Sequence, residues 1–339
     1  MKKINYFIFI LLFFVAQVFF AQTDRIGTAG ATELLIPVGA RGVAMGNSTV
    51  TNSYGADAIY WNPANMSASK NRVDILVSHM TYIADMSVEY GAIAVQTGSF
   101  GTLGFSIKSL SMNPILKTTV HTPDGTGQTF KPQHIVMGIS WAKLITDKIS
   151  IGLTANYISE NIDLVSASGF AFDFGVNYSN LADIKGLDLA VVLKNFGGDM
   201  KFDGSALWTK ATQIDQRRGE QFYKIDAAVF SLPTSFDIAF GYSFELAKSN
   251  MIQFTGVYTN NNFYPEQYKL GVEYGYNNLF FFRAGYNQTA EFDASDVVFK
   301  YSLGVGINYN VGVDLKFDYT FLPAEYFNST HFITVGLGI

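Results

Sequence analysis

The chain has 339 residues, of which 15% are charged, 15% are aromatic and none is cysteine. Ordinary soluble proteins carry about 25% charged residues, so this composition is closer to that of a membrane protein. The lack of cysteine excludes a disulfide scaffold, cysteine-based zinc sites, iron–sulfur clusters and thiol catalysis. A net charge of −5 with many aromatic residues excludes intrinsic disorder and gives no basic surface for nucleic acid.

Residues 1–21 are predicted to be a secretory signal peptide. Lys2 and Lys3 precede an apolar run from Tyr6 to Phe20, and Ala21 is a small residue suited to cleavage. A retained anchor helix is the alternative, although the run is short for a membrane span. Cleavage would remove two lysines and no acid, which leaves 21 basic and 28 acidic residues and a net charge of −7.

Residues 22–71 form a glycine-rich segment without sustained alternation of apolar and polar side chains. The small residues from Val38 to Gly46 predict one short, closely packed helix. A second is predicted over Ala56–Trp61, and it ends at Asn62 because the following proline disfavours helical backbone there.

The remainder, 72–339, alternates with a period of two residues, which is typical of β-strands. Phe170, Phe172 and Phe174, for example, share one face, and Asp173 lies on the other. The predicted strands number fourteen and cover residues 72–79, 86–97, 99–111, 132–143, 147–160, 167–179, 186–196, 233–246, 249–260, 265–276, 278–288, 297–309, 310–321 and 330–339.

Several properties of these strands favour a transmembrane barrel over a soluble one. Many of the strands reach the roughly 9–11 residues that a tilted membrane strand needs, whereas strands of soluble proteins average about 5–6. One face combines charge with glycine, as a wet lumen does, and aromatic residues recur near strand ends. No later segment offers about 18 apolar residues for a transmembrane helix. The sequence therefore predicts an all-β, fourteen-stranded antiparallel barrel, whose lumen is wide enough to hold the 22–71 segment as a hatch or plug.

The predicted connections alternate between long and short. Those after odd-numbered strands include 112–131 and 197–232, while those after even-numbered strands are mostly tight turns. Outer-membrane barrels have short periplasmic turns and long external loops, so this alternation supports the strand count.

The stretch from Pro37 to Ala64 resembles the N-terminal motif of the PorV/PorQ family of Bacteroidetes-type outer-membrane proteins, which is similar in fold to the FadL fatty-acid transporters. Its first element is Ala40, Arg41, Met45 and Gly46, and its second is Asp57, Ala58, Asn62, Pro63 and Ala64. The resemblance implies an outer-membrane location in a Gram-negative, Bacteroidetes-like cell. It also implies a hatch in the lumen that contains the Asn-Pro-Ala element. These residues either move to open a path or only end a helix and fix a turn.

The predicted loop 197–232 carries aromatic and basic residues that suit a protein interface. We single out Trp208, Arg217, Arg218, Phe222 and Tyr223 as candidate partner contacts. A lid over the barrel mouth is the alternative.

The sequence offers no evident catalytic, cofactor or metal motif. His79, His121, His134 and His331 lack helical metal-site spacing and are interpreted as strand-end or loop residues. The run from Asp124 to Gly127 is interpreted as a turn. Charges of both signs are predicted to face the lumen and to pair with one another or with the plug: Lys108, Asp173, Lys194, Asp237, Glu245, Lys269, Glu273, Arg283, Asp314, Lys316 and Asp318.

Two functional hypotheses remain, both for a non-enzymatic barrel in contact with outer-membrane lipid. Resemblance to PorV/PorQ implies an accessory protein of type IX secretion that binds secreted cargo or a translocon component. Resemblance to FadL implies a transporter with a hydrophobic ligand in its lumen. A continuous apolar tunnel would favour transport, and a tight plug beneath exposed aromatic loops would favour docking.

Overall fold

The computed structural model describes residues 29–211, 220–247, 249–292 and 297–339. The predicted signal peptide lies outside these residues. Within them, fourteen long strands of 9 to 14 residues follow one another along the chain. They are β1 (Val73–Thr81), β2 (Ser87–Gln96), β3 (Thr102–Ser111), β4 (Gln133–Leu144), β5 (Ile149–Ile162), β6 (Val165–Tyr178), β7 (Leu187–Gly197), β8 (Ser235–Ala247), β9 (Asn250–Asn261), β10 (Gln267–Tyr276), β11 (Phe280–Thr289), β12 (Tyr301–Asn310), β13 (Asp314–Leu322) and β14 (Thr330–Gly338).

The strands form a closed antiparallel barrel. Each strand pairs with its neighbours in sequence, and β1 closes the circle by pairing with β14. The part of the chain that the structure describes contains no helix long and apolar enough to span a membrane. The predicted fourteen-stranded barrel is confirmed, with strand ends within about four residues of those expected.

The apolar faces of the strands point outward. In β6, Phe170 is 60% exposed and Phe174 is 46% exposed, whereas Asp173 between them is 7% exposed. In β13, Phe317 is exposed and Thr320 is fully buried. Polar groups therefore line the lumen and aromatic rings cover the outside, as a barrel in lipid requires.

Two of the connections differ from prediction in kind. Residues 161–166 were predicted to form a loop, but β5 and β6 pair through Ile162 and Val165, which leaves only a two-residue turn. The predicted direct turn at 309–310 is also wrong. Strands β12 and β13 are joined by residues 311–313, because the Asn310 side chain accepts a hydrogen bond from Gly312, whose φ is +90°.

The N-terminal elements lie inside the barrel. They are the 3₁₀ turn Thr32–Leu35, helix α1 (Ala40–Ala44), the 3₁₀ turn Gly55–Asp57, helix α2 (Ala58–Trp61) and the 3₁₀ helix Pro63–Ala68. We call residues 32–68 the hatch. Helix α1 packs on β12–β14, while Pro63–Ala68 packs on β4–β6 across the lumen. Both predicted short helices are confirmed, and α2 ends at Asn62 as expected.

Candidate functional site

The first motif element binds the wall through its backbone. The amide of Ala40 donates to Thr334 Oγ1 at 2.8 Å, and its carbonyl accepts from Thr320 Oγ1 at 2.6 Å. Ala40 is fully buried, so a larger side chain has no room between hatch and wall. The small residue at this position is what allows the close contact.

Arg41 ties the hatch to the wall by a buried ion-pair network. Its guanidinium donates to both oxygens of Glu273, at 3.0 and 3.1 Å, and to the carbonyl of Asn52 at 2.8 Å. Arg283 donates to Glu273 at 2.5 Å and to Asp318 at 2.6 Å. Asp57, the third carboxylate, lies 4.0 Å from Arg41. Bidentate, charge-assisted contacts of this kind fix both position and orientation.

Met45 and Gly46 complete the first element. Met45 is fully buried. Gly46 has a φ of +64°, and a Cβ on it would lie 2.7 Å from the carbonyl oxygen of Leu270. A Cβ on Gly285 of the wall would lie 2.0 Å from the Gly46 nitrogen. The two backbones are therefore in direct contact, which only glycine on each side permits.

The Asn-Pro-Ala element lies against the opposite wall. Asn62 Oδ1 accepts the amide of Ala64 at 3.1 Å, and Asn62 Nδ2 donates to the carbonyl of Val50 at 3.0 Å. A Cβ on Gly152 would meet the backbone of Pro63 and Ala64 at 2.3 Å. All three motif residues are buried. They end a helix and fix a turn, and movement of the hatch remains a prediction.

A cavity of about 570 Å³ lies between the hatch and the wall. Its lining is mixed rather than apolar. Lys108 donates to the carbonyl oxygens of Glu33 and Ile36, at 2.7 and 2.5 Å. Lys194 lies 4.3 Å from the ring centroid of Tyr60. Several predicted lumen charges thus contact one another or the hatch, whereas Glu245 is exposed at the end of its strand.

The described part of the long connection after β7 forms a folded ribbon. We call these residues, 198–211 and 220–234, the mouth ribbon. At its base, Met200–Lys201 pairs with Val229–Phe230, and further out Trp208–Ala211 pairs with Gln221–Lys224. Met200 is 1% exposed and packs in one apolar cluster with Leu34 of the hatch and Ile158 of the barrel. The base of the ribbon is therefore held by the barrel and the hatch.

The outer part of the mouth ribbon is exposed. Trp208 is 53% exposed and Phe222 is 66% exposed, while Tyr223 is half-buried. Lys224 donates to Asp203 at 2.7 Å, and together with the backbone amide of Gly204 it lowers the pKa of Asp203. Arg217 and Arg218 lie outside the described residues.

A second loop, residues 112–132, opens at the same end of the barrel, since it follows another odd-numbered strand. Its short ribbon pairs Ile115–Leu116 with Thr129–Phe130. Val120 at its tip is 96% exposed. The run from Asp124 to Gly127 forms a turn here, in which the Gly125 amide donates to the carbonyl of Thr122.

Sequence reasoning missed one cluster in the lumen. Glu33, His134 and Glu160 each offer a donor atom, and these atoms lie within 4.8 Å of one another. His134 is the second residue of β4, but it faces the lumen. If the predicted strands 132–143 and 147–160 paired from their ends at the turn, His134 would lie opposite Asn156. The actual register places it opposite Glu160.

Comparisons with known proteins agree with this geometry. A family model described as type IX secretion system protein PorV matches residues 19–261. The chain belongs to the PorV family. A search of curated protein sequences found no match.

Solved structures of low sequence identity share the fold. The toluene transporter TodX of Pseudomonas putida has a TM-score of 0.51 at 14% identity, covering 87% of this chain and 96% of its own. The toluene transporter TbuX of Ralstonia pickettii has a TM-score of 0.50 at 12% identity, covering 88% and 96%. Identities this low concern the fold alone. This PorV-family chain is therefore an outer-membrane β-barrel with a FadL-like architecture.

Proposed function

We propose that this PorV-family barrel is a non-enzymatic component of type IX protein secretion that binds a secreted protein or a translocon subunit at its mouth ribbon. The observation that carries the proposal is the contrast between a hatch bonded to the barrel wall and an aromatic surface left exposed on the mouth ribbon. Trp, Tyr and Phe are enriched where proteins bind one another.

The hatch supports docking over passage. Its backbone contacts the wall on opposite sides of the lumen, through Gly46 against Gly285 and through Pro63 against Gly152. Arg41 adds buried charge-assisted bonds to Glu273. Moving the hatch off the wall would break these contacts, at a cost of several kcal/mol for the largely buried Arg41–Glu273 pair alone.

The mouth ribbon supplies the features expected of a binding surface. It is a paired ribbon anchored at its base, so Trp208 and Phe222 are held in place rather than presented on a loose loop. Aromatic side chains that are ordered before binding lose little entropy when a partner covers them. A partner would bury both rings, and such residues commonly dominate binding energy.

Transport of a hydrophobic molecule is the second candidate, and the cavity is the observation that favours it. Its volume of about 570 Å³ falls in the range of small-molecule sites, about 300–1,000 Å³. Its lining nevertheless includes Lys108, Lys194, Asp173 and Asp237. Buried charge of both signs is costly to leave beside an apolar ligand, so we place docking first.

The test is complementation of a deletion strain with a chain lacking residues 206–223, which keeps the paired base of the ribbon. We expect the variant to insert in the outer membrane and to show heat-modifiable migration of a folded barrel. Type IX cargo should accumulate in the periplasm, and co-purification of secretion components should fall at least about tenfold, the loss expected for a binding hot spot.

The matched control is Phe100→Ser, which removes a ring that is 59% exposed at the opposite end of the barrel. It should secrete cargo and retain its partners. Normal secretion and normal co-purification by the folded deletion variant would overturn the docking proposal. Loss of hydrophobic-compound uptake with intact secretion would favour the transporter instead.

A further inference from the structure

Three side chains from separate parts of the chain converge at one side of the lumen cavity. Glu33 comes from the hatch turn Thr32–Leu35, and His134 and Glu160 come from neighbouring strands, where the register sets them directly opposite. Their donor atoms lie within 4.8 Å of one another. The convergence of hatch and wall at this point is independent of the Arg41 network.

The cluster is buried, and two of its polar side-chain atoms lack a hydrogen-bond partner. Glu33 and Glu160 are each 4% exposed. Glu33 Oε1 and His134 Nδ1 have no hydrogen-bond partner within the described part of the chain. The Nδ1 atom of His134 lies 3.8 Å from Glu33 Oε2, which is too long for a hydrogen bond.

The neighbouring hydrogen-bond donors do not satisfy all the polar atoms of the cluster. The backbone amide of Ala31 donates to Glu160, and the carboxyl groups of Glu160 and Glu33 lie within hydrogen-bond distance of each other. The ammonium of Lys108, which also lines the cavity, donates to the backbone carbonyls of Glu33 and Ile36. It therefore holds the hatch backbone and leaves Glu33 Oε1 unpaired. Two neighbouring buried carboxylates are unfavourable unless a proton or a cation lies between them.

We propose that Glu33, His134 and Glu160 bind a divalent transition-metal cation, with Zn²⁺ as the best-matched ion. An imidazole with two carboxylates suits Zn²⁺, Mn²⁺ or Fe²⁺, whereas Ca²⁺ prefers a shell of six to eight oxygens. Tetrahedral Zn²⁺ with bonds of about 2.0–2.1 Å sets its ligands roughly 3.3 Å apart. To meet that geometry, the His134–Glu33 pair closes by about half an ångström from 3.8 Å, and the most distant pair, which lies within 4.8 Å, by at most about 1.5 Å.

The ion would join the beginning of the hatch to β4 and β5. Since three protein ligands leave a coordination position open, water would fill it from the cavity. A cation that binds the folded chain alone also stabilises it by mass action. Metal binding would thus hold the hatch in place at the end of the lumen nearest the mouth ribbon.

The experiment is isothermal titration with Zn²⁺ of the full-length barrel, purified in detergent with a histidine-free tag and treated with EDTA. We expect one Zn²⁺ per chain. His134→Gln and Glu33→Gln should each weaken binding by at least about tenfold, because even outer-shell partners of a metal are worth about 10–100-fold. Both variants are checked for heat-modifiable migration.

The matched control is His331→Gln, which removes a histidine on the outer face of β14. It should bind Zn²⁺ as the unaltered chain does. No binding tighter than about 1 mM, or unchanged binding by a folded His134→Gln variant, would overturn the proposal and leave a carboxylate pair that shares a proton. Should neither variant fold, X-ray absorption of the Zn²⁺-loaded native chain decides. One imidazole nitrogen in the shell supports the site, and an oxygen-only shell refutes it.

Discussion

The hatch and the mouth ribbon are organised in opposite ways. In the hatch, the motif residues face the wall and are largely buried. The guanidinium of Arg41 is likewise bonded to Glu273 and to a backbone carbonyl. In the ribbon, only the base is buried, and Trp208 and Phe222 contribute their rings to the surface. The recognisable family motif therefore marks packing, whereas the exposed aromatic surface lies in a loop with no such motif.

This contrast separates stability from binding. Substitutions in the hatch should change the free energy of unfolding, because each motif side chain is committed to a contact. Substitutions of Trp208 or Phe222 should leave that free energy nearly unchanged and alter association with the proposed partner only. Loops held on a rigid scaffold commonly carry function in this way.

The largest stability effect is expected for Glu273→Gln. Glu273 is 2% exposed and binds both Arg41 and Arg283. Removing its charge leaves Arg41 without a close counter-charge and Arg283 with Asp318 alone, which should cost about 3 kcal/mol, the lower end of the range for breaking a buried pair. Urea-induced unfolding in lipid vesicles, followed by tryptophan fluorescence, measures the change.

The control is Glu89→Gln, which breaks an exposed pair with His79 on the outer face of the barrel. An exposed pair is worth about 0–1 kcal/mol. Equal losses in the two variants would show that the network does not hold the hatch, and the contrast between hatch and ribbon would fail.

A smaller loss is expected for Gly285→Ala. The added methyl group would sit 2.0 Å from the Gly46 nitrogen, so the hatch must shift away from β11. Overpacking of this kind costs about 1–3 kcal/mol. Replacing Trp141 and Trp208 by phenylalanine leaves Trp61, which is 3% exposed in the hatch, as the single fluorophore. In that background, Gly285→Ala should increase the quenching of Trp61 by iodide.

Gly256→Ala is the matched control, because a Cβ there meets nothing nearer than 3.5 Å. It should leave both stability and quenching close to those of the parent. Increased quenching of Trp61 in the control, or unchanged quenching in Gly285→Ala, would contradict direct backbone contact between hatch and wall.

The fold was predictable because its signal is local. A period of two residues sets Phe170 and Phe174 outward and Asp173 inward whatever the neighbouring strand is. The end of α2 at Asn62 was equally local, since Pro63 restricts the residue before it. The positions of the strands, and the side chains that point outward or into the lumen, can therefore be predicted from short windows of sequence.

The candidate sites depend on long-range relations that such windows do not contain. The contact of Gly46 with Gly285 joins residues far apart in sequence. Turn residues 145–148 set the register that brings His134 opposite Glu160, and a small error in the turn moves the histidine to a different partner. The short pairings of the mouth ribbon were missed because two to four residues are too few to show alternation.

Asn62→Ala should have a moderate effect. The substitution removes the acceptor for the Ala64 amide and the donor to the Val50 carbonyl. Loss of a helix-end cap costs about 0.5–2 kcal/mol, and the buried amide of Ala64 then lacks its partner. Equilibrium unfolding measures the loss in free energy of unfolding. Asn62→Asp keeps the acceptor but not the donor, so its loss should be smaller than that of Asn62→Ala.

The smallest effect on stability is expected for the double variant Trp208→Ser and Phe222→Ser. Both rings are more than half exposed, so the free energy of unfolding should change by no more than about 0.5 kcal/mol per site. Binding of the secretion partner should still fall at least about tenfold, since exposed aromatic anchors act when a partner covers them. Unfolding and co-purification, measured on the same preparation, test the unchanged stability and the weakened binding respectively. A large loss of stability would mean that the rings pack against the barrel as a lid, and the two regions would then share one structural role.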